Sequence, residues 1–200
     1  EKGGSAKTTI ALNLAVEASL SGKRVLVVDL DPQESAFDWG EDREQEWPAV
    51  VKSSAGGLSD LLQRYVGFAD LVIMDLPPHA GAIIDMAIAL ADLVLIPVRP
   101  GRFDIKALPS IEARISKSGK KGRVVLTHCR ARGSINDDTQ EVVEEDFPTL
   151  PVLTSRISFL NAHTDPHLLA IGTTELSDSA GGKAKNEIKS LWKELKKELK

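Results

Sequence analysis

A glycine pair and a lysine stand together near the start of the sequence, directly before a helical pattern. The run is Lys2-Gly-Gly-Ser-Ala-Lys7-Thr-Thr9. Glycines let backbone N–H groups curl around phosphate oxygens, and the N-terminus of the following helix favours negative charge. Lys7 is expected to reach the β- and γ-phosphates of a nucleotide, and the Thr8 hydroxyl to bind Mg²⁺. The residues expected to bind the nucleotide are Gly3, Gly4, Ser5, Ala6, Lys7, Thr8 and Thr9.

This loop departs from the common pattern G-x-x-x-x-G-K-[ST] at two positions, since Glu1 and Ala6 stand where glycines are expected. If Ala6 adopts a left-handed backbone, the strain is of order ~1 kcal/mol. A P-loop also needs a strand to aim it, and the sequence opens on the loop itself. We therefore expect the first strand to lie outside this sequence.

Carboxylates end two apolar runs further along the chain. Asp29 and Asp31 stand at the end of Arg24–Asp29 and just beyond it, and Asp75 ends Leu71–Asp75. Two carboxylates two residues apart in a strand point the same way, so Asp29 and Asp31 can approach one Mg²⁺–water cluster. The alternative for both runs is a plain turn that ends a strand.

Short apolar runs alternate with longer amphipathic ones over the whole chain. Strands are predicted at Arg24–Asp29, Leu71–Asp75, Leu93–Pro97 and Arg123–Thr127, with weaker candidates at Val50–Lys52 and Pro151–Leu153. Helices are predicted at Thr8–Leu20, Leu58–Val66, Ala82–Ala91, Ile105–Ser118, Asp138–Asp146 and Glu187–Leu199. This alternation implies βαβ units. We predict one domain over residues 1–200 with an α/β fold, a mostly parallel sheet with helices on both faces.

Together these motifs resemble the ParA/MinD family of deviant Walker A ATPases. The loop from Lys2 resembles its K-G-G-x-G-K-[ST] box, and Val27–Ser35 resembles its D-x-D-P-Q-x-[SN] segment. Leu71–Pro78 resembles its apolar strand ending in D-x-P-P, and Leu93–Asp104 is similar to its I-P-V-x-P-x-x-x-D stretch. The resemblance runs from Lys2 to about Asp104. It implies a P-loop NTPase fold that binds ATP or ADP with Mg²⁺.

The resemblance also implies a role for individual side chains. Lys2 would reach the nucleotide of the partner subunit in an ATP-dependent homodimer, like an arginine finger given in trans. Asp31 would orient the attacking water, and Asp29 would support the outer shell of the metal. Asp75 would hold Mg²⁺ through water, since hard cations prefer oxygen ligands and keep several waters. The expected catalytic residues are therefore Lys2, Lys7 and Asp31.

The adenine side is less sharply defined. Thr127 and Arg130 belong to the end of a strand where this family places its base-contacting segment, and Thr154 belongs to the end of the next strand. These three residues are the expected contacts of the base. A metal pair at His128 and Cys129 is disfavoured against a simple strand end.

The composition excludes several classes of protein, and two segments of the chain are rich in basic residues. The single cysteine excludes an intrachain disulfide framework and a four-cysteine cluster within one chain. The net charge of −4 argues against a globally basic nucleic-acid binder. However, Arg114–Arg132 holds seven basic residues and no acid, and Lys183–Lys200 holds seven lysines against three glutamates. Both segments are candidates for contacting DNA phosphates, and the alternative is a solvated face.

The last helix carries an apolar stripe with lysines opposite. The stripe consists of Ile188, Leu191, Trp192, Leu195 and Leu199. The favoured interpretation is a final helix packed on the sheet, and the alternative is a membrane-surface helix. No apolar run approaches the roughly 20 residues that span a bilayer, and no signal peptide is visible. A cytoplasmic location is the simplest expectation.

The leading functional hypothesis is a partition ATPase that resembles the compact plasmid-partition ParA proteins. Such a protein would dimerise on ATP, bind non-specific DNA and associate with the nucleoid. It would move plasmid or chromosome cargo through a centromere-binding ParB-like partner that stimulates hydrolysis. The alternatives are MinD-like membrane cycling, positioning of a protein cargo, and, in another class, a metabolic ATP-dependent synthetase.

Overall fold

The computed structural model describes residues 6–78 and 81–199. Its strands are β1 (Val25–Asp29), β2 (Ala49–Lys52), β3 (Leu71–Asp75), β4 (Leu93–Val98), β5 (Lys121–Cys129) and β6 (Val152–Ser158). Its α-helices are α1 (Lys7–Leu20), α2 (Ser35–Glu41), α3 (Leu58–Tyr65), α4 (Gly81–Leu90), α5 (Arg102–Ile105), α6 (Leu108–Ser118), α7 (Ile135–Asp146) and α8 (Asp178–Glu198). Short 3₁₀ turns lie at Ala55–Gly57, Asn161–His163, Asp165–Leu169 and Thr173–Glu175.

The strands form two parallel halves of three strands each. The order is β2-β1-β3 in one half and β4-β5-β6 in the other, and every pair is parallel. Among the described residues, no strand pairing joins β3 to β4, and most side chains of both strands are half-buried. The strand expected ahead of the phosphate loop has no counterpart among these residues and stays a prediction.

Helices cover both faces of the sheet, which confirms the predicted α/β fold. Val25 and Val27 face a core that they share with α1, α2 and α8, whereas Leu26 and Val28 face α3 and α4. This division follows from the alternation of side chains along a strand. On the second half, α4, α6 and α7 pack against β4 and β5. The core that contains α1 and α8 includes strands from both halves and so joins them.

The two terminal helices of the chain pack in that shared core. α1 is buried continuously from Ile10 to Ala18, as expected for a helix enclosed on all sides. The stripe Ile188, Leu191, Trp192 and Leu195 of α8 is buried there, while Leu199 is exposed. The predicted packing of the last helix on the sheet is therefore confirmed. Within residues 6–78 and 81–199, none of the helices has the length and apolar character needed to cross a bilayer.

Two of the predicted helices differ most from the structure, and one further helix was not predicted. The helix predicted at Ile105–Ser118 is divided into α5 and α6, and Pro109 stands in the first turn of α6, where proline is favoured. The α8 helix begins at Asp178, nine residues before its predicted start at Glu187. The helix α2 was not predicted.

The last strand, β6, extends beyond the predicted Pro151–Leu153. Its pairing with β5 is irregular. Val124 pairs with Val152, and Leu126 pairs with Arg156, so β6 bulges between these positions. The bulge interrupts the alternation that marks a strand in sequence. Carboxylates of α8 lie along this strand: Glu194 accepts hydrogen bonds from the N–H groups of Thr154 at 2.8 Å and Ser155 at 3.0 Å. In the same way, Glu187 accepts from Ser158 at 2.9 Å.

Candidate functional site

A cleft of about 860 Å³ opens at the carboxyl ends of the parallel strands. The start of α1 and the loops after β1 and β3 line one part of it, and the ends of β5 and β6 with the chain after β6 line the other. In open parallel sheets, ligands bind outside the carboxyl ends of the strands. Lys7, Thr8, Thr9, Asp31 and Thr127, which the sequence singled out, all lie in its walls.

Ala6 stands at the N-cap of α1 with a left-handed backbone, φ 62° and ψ 27°. The conformation considered for this residue from sequence is therefore present, with its cost of about 1 kcal/mol. Among residues 6–78 and 81–199, no side chain caps the first turn of α1, and such a helix N-terminus favours an anion. The expected contacts of Lys2, Gly3, Gly4 and Ser5 lie outside the described residues.

Thr8 and Asp75, both predicted to serve the metal, are in direct contact. The Thr8 hydroxyl donates a hydrogen bond to Asp75 Oδ2 at 2.6 Å, and Asp75 is 3% exposed. Burial raises the pKa of Asp75 to about 6; the hydrogen bond from Thr8 opposes this shift, and the nearby Asp29 adds to it. The pair presents two oxygen ligands of the kind that Mg²⁺ prefers. This donor set fits the expected ion.

Asp29 is buried, and three backbone N–H groups donate to its carboxylate. The donors are Asp31, to Oδ1, and Ala36 and Phe37, to Oδ2, each at 2.9 Å. The last two belong to the first turn of α2, which has no other partner for them within the helix. Asp29 therefore fixes both the start of α2 and the turn that carries Asp31. The role predicted for it in the outer shell of the metal stays a prediction.

Asp31 lies in the wall of the cleft and is only half-buried. One carboxylate oxygen accepts the N–H of Gln33 at 3.0 Å. The side chain is therefore aimed by its own turn, while Asp29 holds the backbone of that turn from below. This is the arrangement that a carboxylate needs if it is to act on a molecule in the cleft rather than on the fold.

The other end of the cleft differs from the sequence-based expectation. Thr127 lines it and is buried, as expected. Arg130 is exposed and outside the lining. Thr154 lies in the middle of β6 on the α8 side, bound to Glu194, because the strand continues to Ser158. The interpretation that Thr154 ends the strand is therefore wrong, and residues after Ser158 line the cleft instead.

An aromatic pair that was not predicted from the sequence lies at this end. Phe159 comes directly after β6, is 72% exposed and lines the cleft. His128 has a left-handed backbone, φ 53°, and its ring stacks on Phe159 with centroids 5.2 Å apart and planes at 28°. Burial lowers the pKa of His128 below its ordinary value. An aromatic residue directly after a strand is a signal that a correct strand end would have revealed.

Residues 159–176, here called the post-β6 segment, are tied to α1 by a buried asparagine. Asn13 donates to the carbonyl of His163 at 3.0 Å and accepts the N–H of Thr173 at 2.7 Å. It also donates to the carbonyl of Thr9 in its own helix at 2.9 Å. The start of α1 and the far wall of the cleft are thus held in one arrangement.

The basic segment Arg114–Arg132 is not one surface. Arg114 and Lys117 lie in α6, Lys120 lies just before β5, and Lys121 and Arg123 lie near its start, whereas Arg130 and Arg132 lie beyond its end. The strand places Lys121 and Arg130 about 30 Å apart, at its opposite ends. Arg123 is paired with Glu198 of α8 at 2.6 Å, so the end of α8 and its lysines lie at the amino-terminal edge of the sheet. The cleft lies at the opposite edge.

A parallel sheet covered on both faces and a cleft at its carboxyl edge, with an uncapped helix N-terminus and a Thr–Asp pair, define a P-loop nucleotide-binding domain. Residues 1–165 match the model of the CobQ/CobB/MinD/ParA nucleotide binding domain. The chain belongs to this family.

Two curated relatives show the range of proteins within it. The chain is 36% identical over 143 residues to maintenance of carboxysome distribution protein A of Gloeobacter kilaueensis. The matched stretch covers 66% of this chain and 61% of that protein. It is 30% identical over 148 residues to the chromosome-partitioning ATPase Soj of Thermus thermophilus, covering 58% and 59% respectively. The chain thus spans about three fifths of the length of these relatives.

Solved structures share the fold at low sequence identity. Apo McdA of Cyanothece superposes with a TM-score of 0.76 at 16% identity, covering 100% of this chain and 96% of that one. Cobyrinic acid a,c-diamide synthase of Mycobacterium smegmatis, with bound ADP and magnesium, superposes with a TM-score of 0.68 at 20% identity, covering 91% and 93%. These likenesses concern the fold.

Proposed function

We propose that this protein is a Mg²⁺-dependent ATPase of the partition and positioning type, and that residues 1–200 form one such domain. The observation that carries the proposal is the contact of Thr8 with Asp75 at the start of α1, in the same cleft as Lys7 and Asp31. It puts a hydroxyl, a buried carboxylate, a cation and a half-buried carboxylate around one space. ATP with Mg²⁺ supplies the complementary charges.

Each of these groups has a separate part in hydrolysis. Lys7 provides a point charge for the β- and γ-phosphates, and the N–H groups at the start of α1 bind phosphate oxygens. Thr8 and Asp75 would hold Mg²⁺, Asp75 through water, and the ion would supply positive charge at the phosphates. Asp31 orients the attacking water, and Asp29 positions Asp31.

The base is proposed to lie at the far end of the cleft, beside Thr127 and the ring of Phe159. An exposed aromatic face that is stacked on a second ring suits any base, since stacking does not depend on hydrogen-bond pattern. His128 supports that ring from behind. This placement replaces Arg130 and Thr154 as the predicted contacts.

The proposed cycle uses ATP to form a homodimer, in which Lys2 reaches the partner's nucleotide. The dimer binds non-specific DNA through basic side chains and meets a ParB-like partner that stimulates hydrolysis. The relative from Gloeobacter is named for carboxysome distribution, which makes a protein cargo the second candidate. Copurification with a centromere-binding protein supports the first candidate, and copurification with a microcompartment adaptor supports the second.

The test is phosphate release and nucleotide binding by the wild type and by Lys7→Ala. We expect ATP hydrolysis without any small-molecule co-substrate, and loss of ATP binding in the variant because the charge at the β/γ-phosphates is gone. An affinity for ATP within a factor of two of the wild type would overturn the assignment of the phosphate loop. Hydrolysis that needs a small acceptor substrate would favour the metabolic synthetase instead.

A further inference from the structure

A buried ion pair joins the chain after α2 to the post-β6 segment. Arg43 comes shortly after α2, and Glu175 belongs to the post-β6 segment, 132 residues later. Arg43 Nη2 and Nη1 donate to the two oxygens of Glu175 at 2.7 and 3.0 Å. The Arg43 side chain is 3% exposed and that of Glu175 is 16% exposed. Two-pronged contacts of this kind fix the orientation of both partners.

Arg43 makes further contacts with both sides. It donates to the carbonyl of Ala170 in the post-β6 segment at 2.8 Å and to the carbonyl of Trp47 at 3.3 Å. Its guanidinium lies over the ring of Trp39 in α2, 5.0 Å from the centroid. Loss of one partner would leave the other charge buried and unpaired in apolar surroundings, which costs free energy of folding. The two sides are therefore held in one relative position.

Both sides also have a direct connection to the cleft. The N-terminal end of α2 is bound by the carboxylate of Asp29, which also accepts the backbone N–H of Asp31. Glu175 also accepts the N–H of Gly172 at 2.7 Å, and the same segment begins with Phe159 in the cleft wall. Packed contacts thus run from the proposed base-binding end of the cleft, through Arg43 and α2, to Asp31.

We propose that the Arg43–Glu175 pair is a latch through which the base of a bound nucleotide positions Asp31. The latch rests on the proposed function, since it needs a nucleotide in the cleft. A ligand that contacts the post-β6 segment holds it in one place, and the latch passes this restraint to α2 and to the turn with Asp31. Arg43 and Glu175 are positioning residues, as neither touches the cleft. A ligand that occupies only the phosphate end does not engage the latch.

The experiment is hydrogen–deuterium exchange of residues 31–43 and 159–176, with Mg²⁺ and either ADP or pyrophosphate. Pyrophosphate fills the phosphate end and leaves the base-binding end empty. In the wild type we expect ADP to slow exchange of residues 31–43 more than pyrophosphate does. In Glu175→Gln this extra protection should fall about fivefold or more, which is the lower range of coupling between linked sites. Protection of residues 159–176 by ADP should remain.

Two further variants complete the design. Arg43→Lys keeps the charge but cannot make the two-pronged contact, and it should behave like Glu175→Gln. Asp70→Asn is the matched control, because it breaks the exposed Arg24–Asp70 pair at the opposite edge of the sheet, and it should leave the protection unchanged.

The outcomes separate the latch from the proposed function. If ADP protects residues 31–43 in both latch variants as strongly as in the wild type, the latch is overturned. Equal protection by ADP and pyrophosphate in the wild type would also overturn it. Loss of ADP protection throughout Glu175→Gln and Arg43→Lys would also overturn it, because the pair would then only support the fold. No ADP protection at Lys7–Thr9 in the wild type would instead overturn nucleotide binding itself, and the latch with it.

Discussion

Asp29 and Asp31 are two residues apart, and their surroundings give them different tasks. Asp29 is 1% exposed, and its carboxylate accepts three backbone hydrogen bonds. Asp31 accepts one from its own turn and faces the cleft. A carboxylate already occupied by the backbone supports structure, whereas one that faces an open space is available to a ligand. The shared strand end therefore contains one supporting acid and one that can act in chemistry.

Asp31→Ala is expected to separate binding from turnover. In the proposed function, ATP affinity comes from the phosphate loop, Lys7 and Mg²⁺, so the variant should still bind ATP, and more tightly if like-charge repulsion with the phosphates is relieved. Phosphate release should fall to background, because the water loses its orienting carboxylate. An ATP-binding titration beside a phosphate-release assay measures both properties. Normal turnover, or lost ATP binding, would contradict the role of Asp31.

His167 gives the fold a dependence on pH. Burial lowers its pKa to about 4, and the nearby His163 adds to this shift. The folded protein therefore binds fewer protons than the unfolded chain between pH 6.5 and 4. Its contribution is fully present above pH 6.5 and is lost as the pH falls towards 4, by up to roughly 3 kcal/mol. Urea unfolding across this range should show a shallower pH dependence in His167→Gln; an unchanged slope would exclude His167 as the source.

At the scale of elements, the end of α2 packs closely against β2. A Cβ built on Gly40 would meet Cβ of Val50 at 2.5 Å and its Cγ2 at 2.6 Å. These atoms are close to the backbone of β2 and have no flexible end that can move away. Glycine at this position therefore permits the close approach of the helix to the strand.

Gly40→Ala is accordingly expected to destabilise the fold by about 1–3 kcal/mol, as overpacking does. The matched control is Gly182→Ala in α8, where a Cβ meets nothing within 4 Å. That change should stabilise by about 0.5–1 kcal/mol, since alanine is the better helix former. Denaturant unfolding measures both values. Equal effects of the two substitutions would show that the contact with Val50 is not the cause.

The elements that local pattern determines were predicted well. The bounds of β3, Leu71–Asp75, agree with the prediction, and α1 differs from it by one residue. By contrast, α2 depends on Asp29, a partner that precedes it by several residues and lies in a strand. Propensity and periodicity do not report such a contact. The end of β6 was missed because its bulge interrupts the alternation of side chains.

The same distinction divides the candidate site. Its proposed phosphate end is built from contiguous motifs, so Lys7, Thr8, Asp31 and Asp75 could be named from sequence. Lys7, Thr8 and Asp31 line the cleft, and Asp75 contacts Thr8. The opposite end is formed by residues 159–176, which have only short 3₁₀ turns and no periodic pattern. Its position depends on tertiary contacts such as those of Asn13. Sequence reasoning therefore missed Phe159.

For the whole molecule, the fold divides the basic residues between two edges. The amino-terminal edge brings Lys120 and Lys121 to the same side as the end of α8. At the carboxyl edge, Arg130 and Arg132 lie just before α7, whose first turn holds Asp137 and Asp138. A DNA backbone would meet mixed charge there. The amino-terminal edge is thus the better candidate for contacting phosphates.

Neutralising Lys120 and Lys121 together to glutamine should weaken ATP-dependent binding to non-specific DNA. Each lost phosphate contact should reduce the slope of log affinity against log salt by about 0.9. The double substitution of Arg130 and Arg132 to glutamine is the matched control and should have the smaller effect. Fluorescence anisotropy at several salt concentrations, with ATP and with ADP, measures this. A larger loss in the control would assign DNA to the carboxyl edge, and equal binding with ADP would remove the nucleotide switch.

The glutamates of α8 that lie along β6 have a consequence for how the protein behaves at high concentration. An outer strand with unpaired N–H groups is a template on which another chain can add a strand. Here the N–H groups of Thr154 and Ser155, set free by the bulge, are bound by Glu194, and that of Ser158 is bound by Glu187. An incoming strand would have to displace both carboxylates and bend around the bulge. This margin of the molecule is thereby protected against self-association into fibrils.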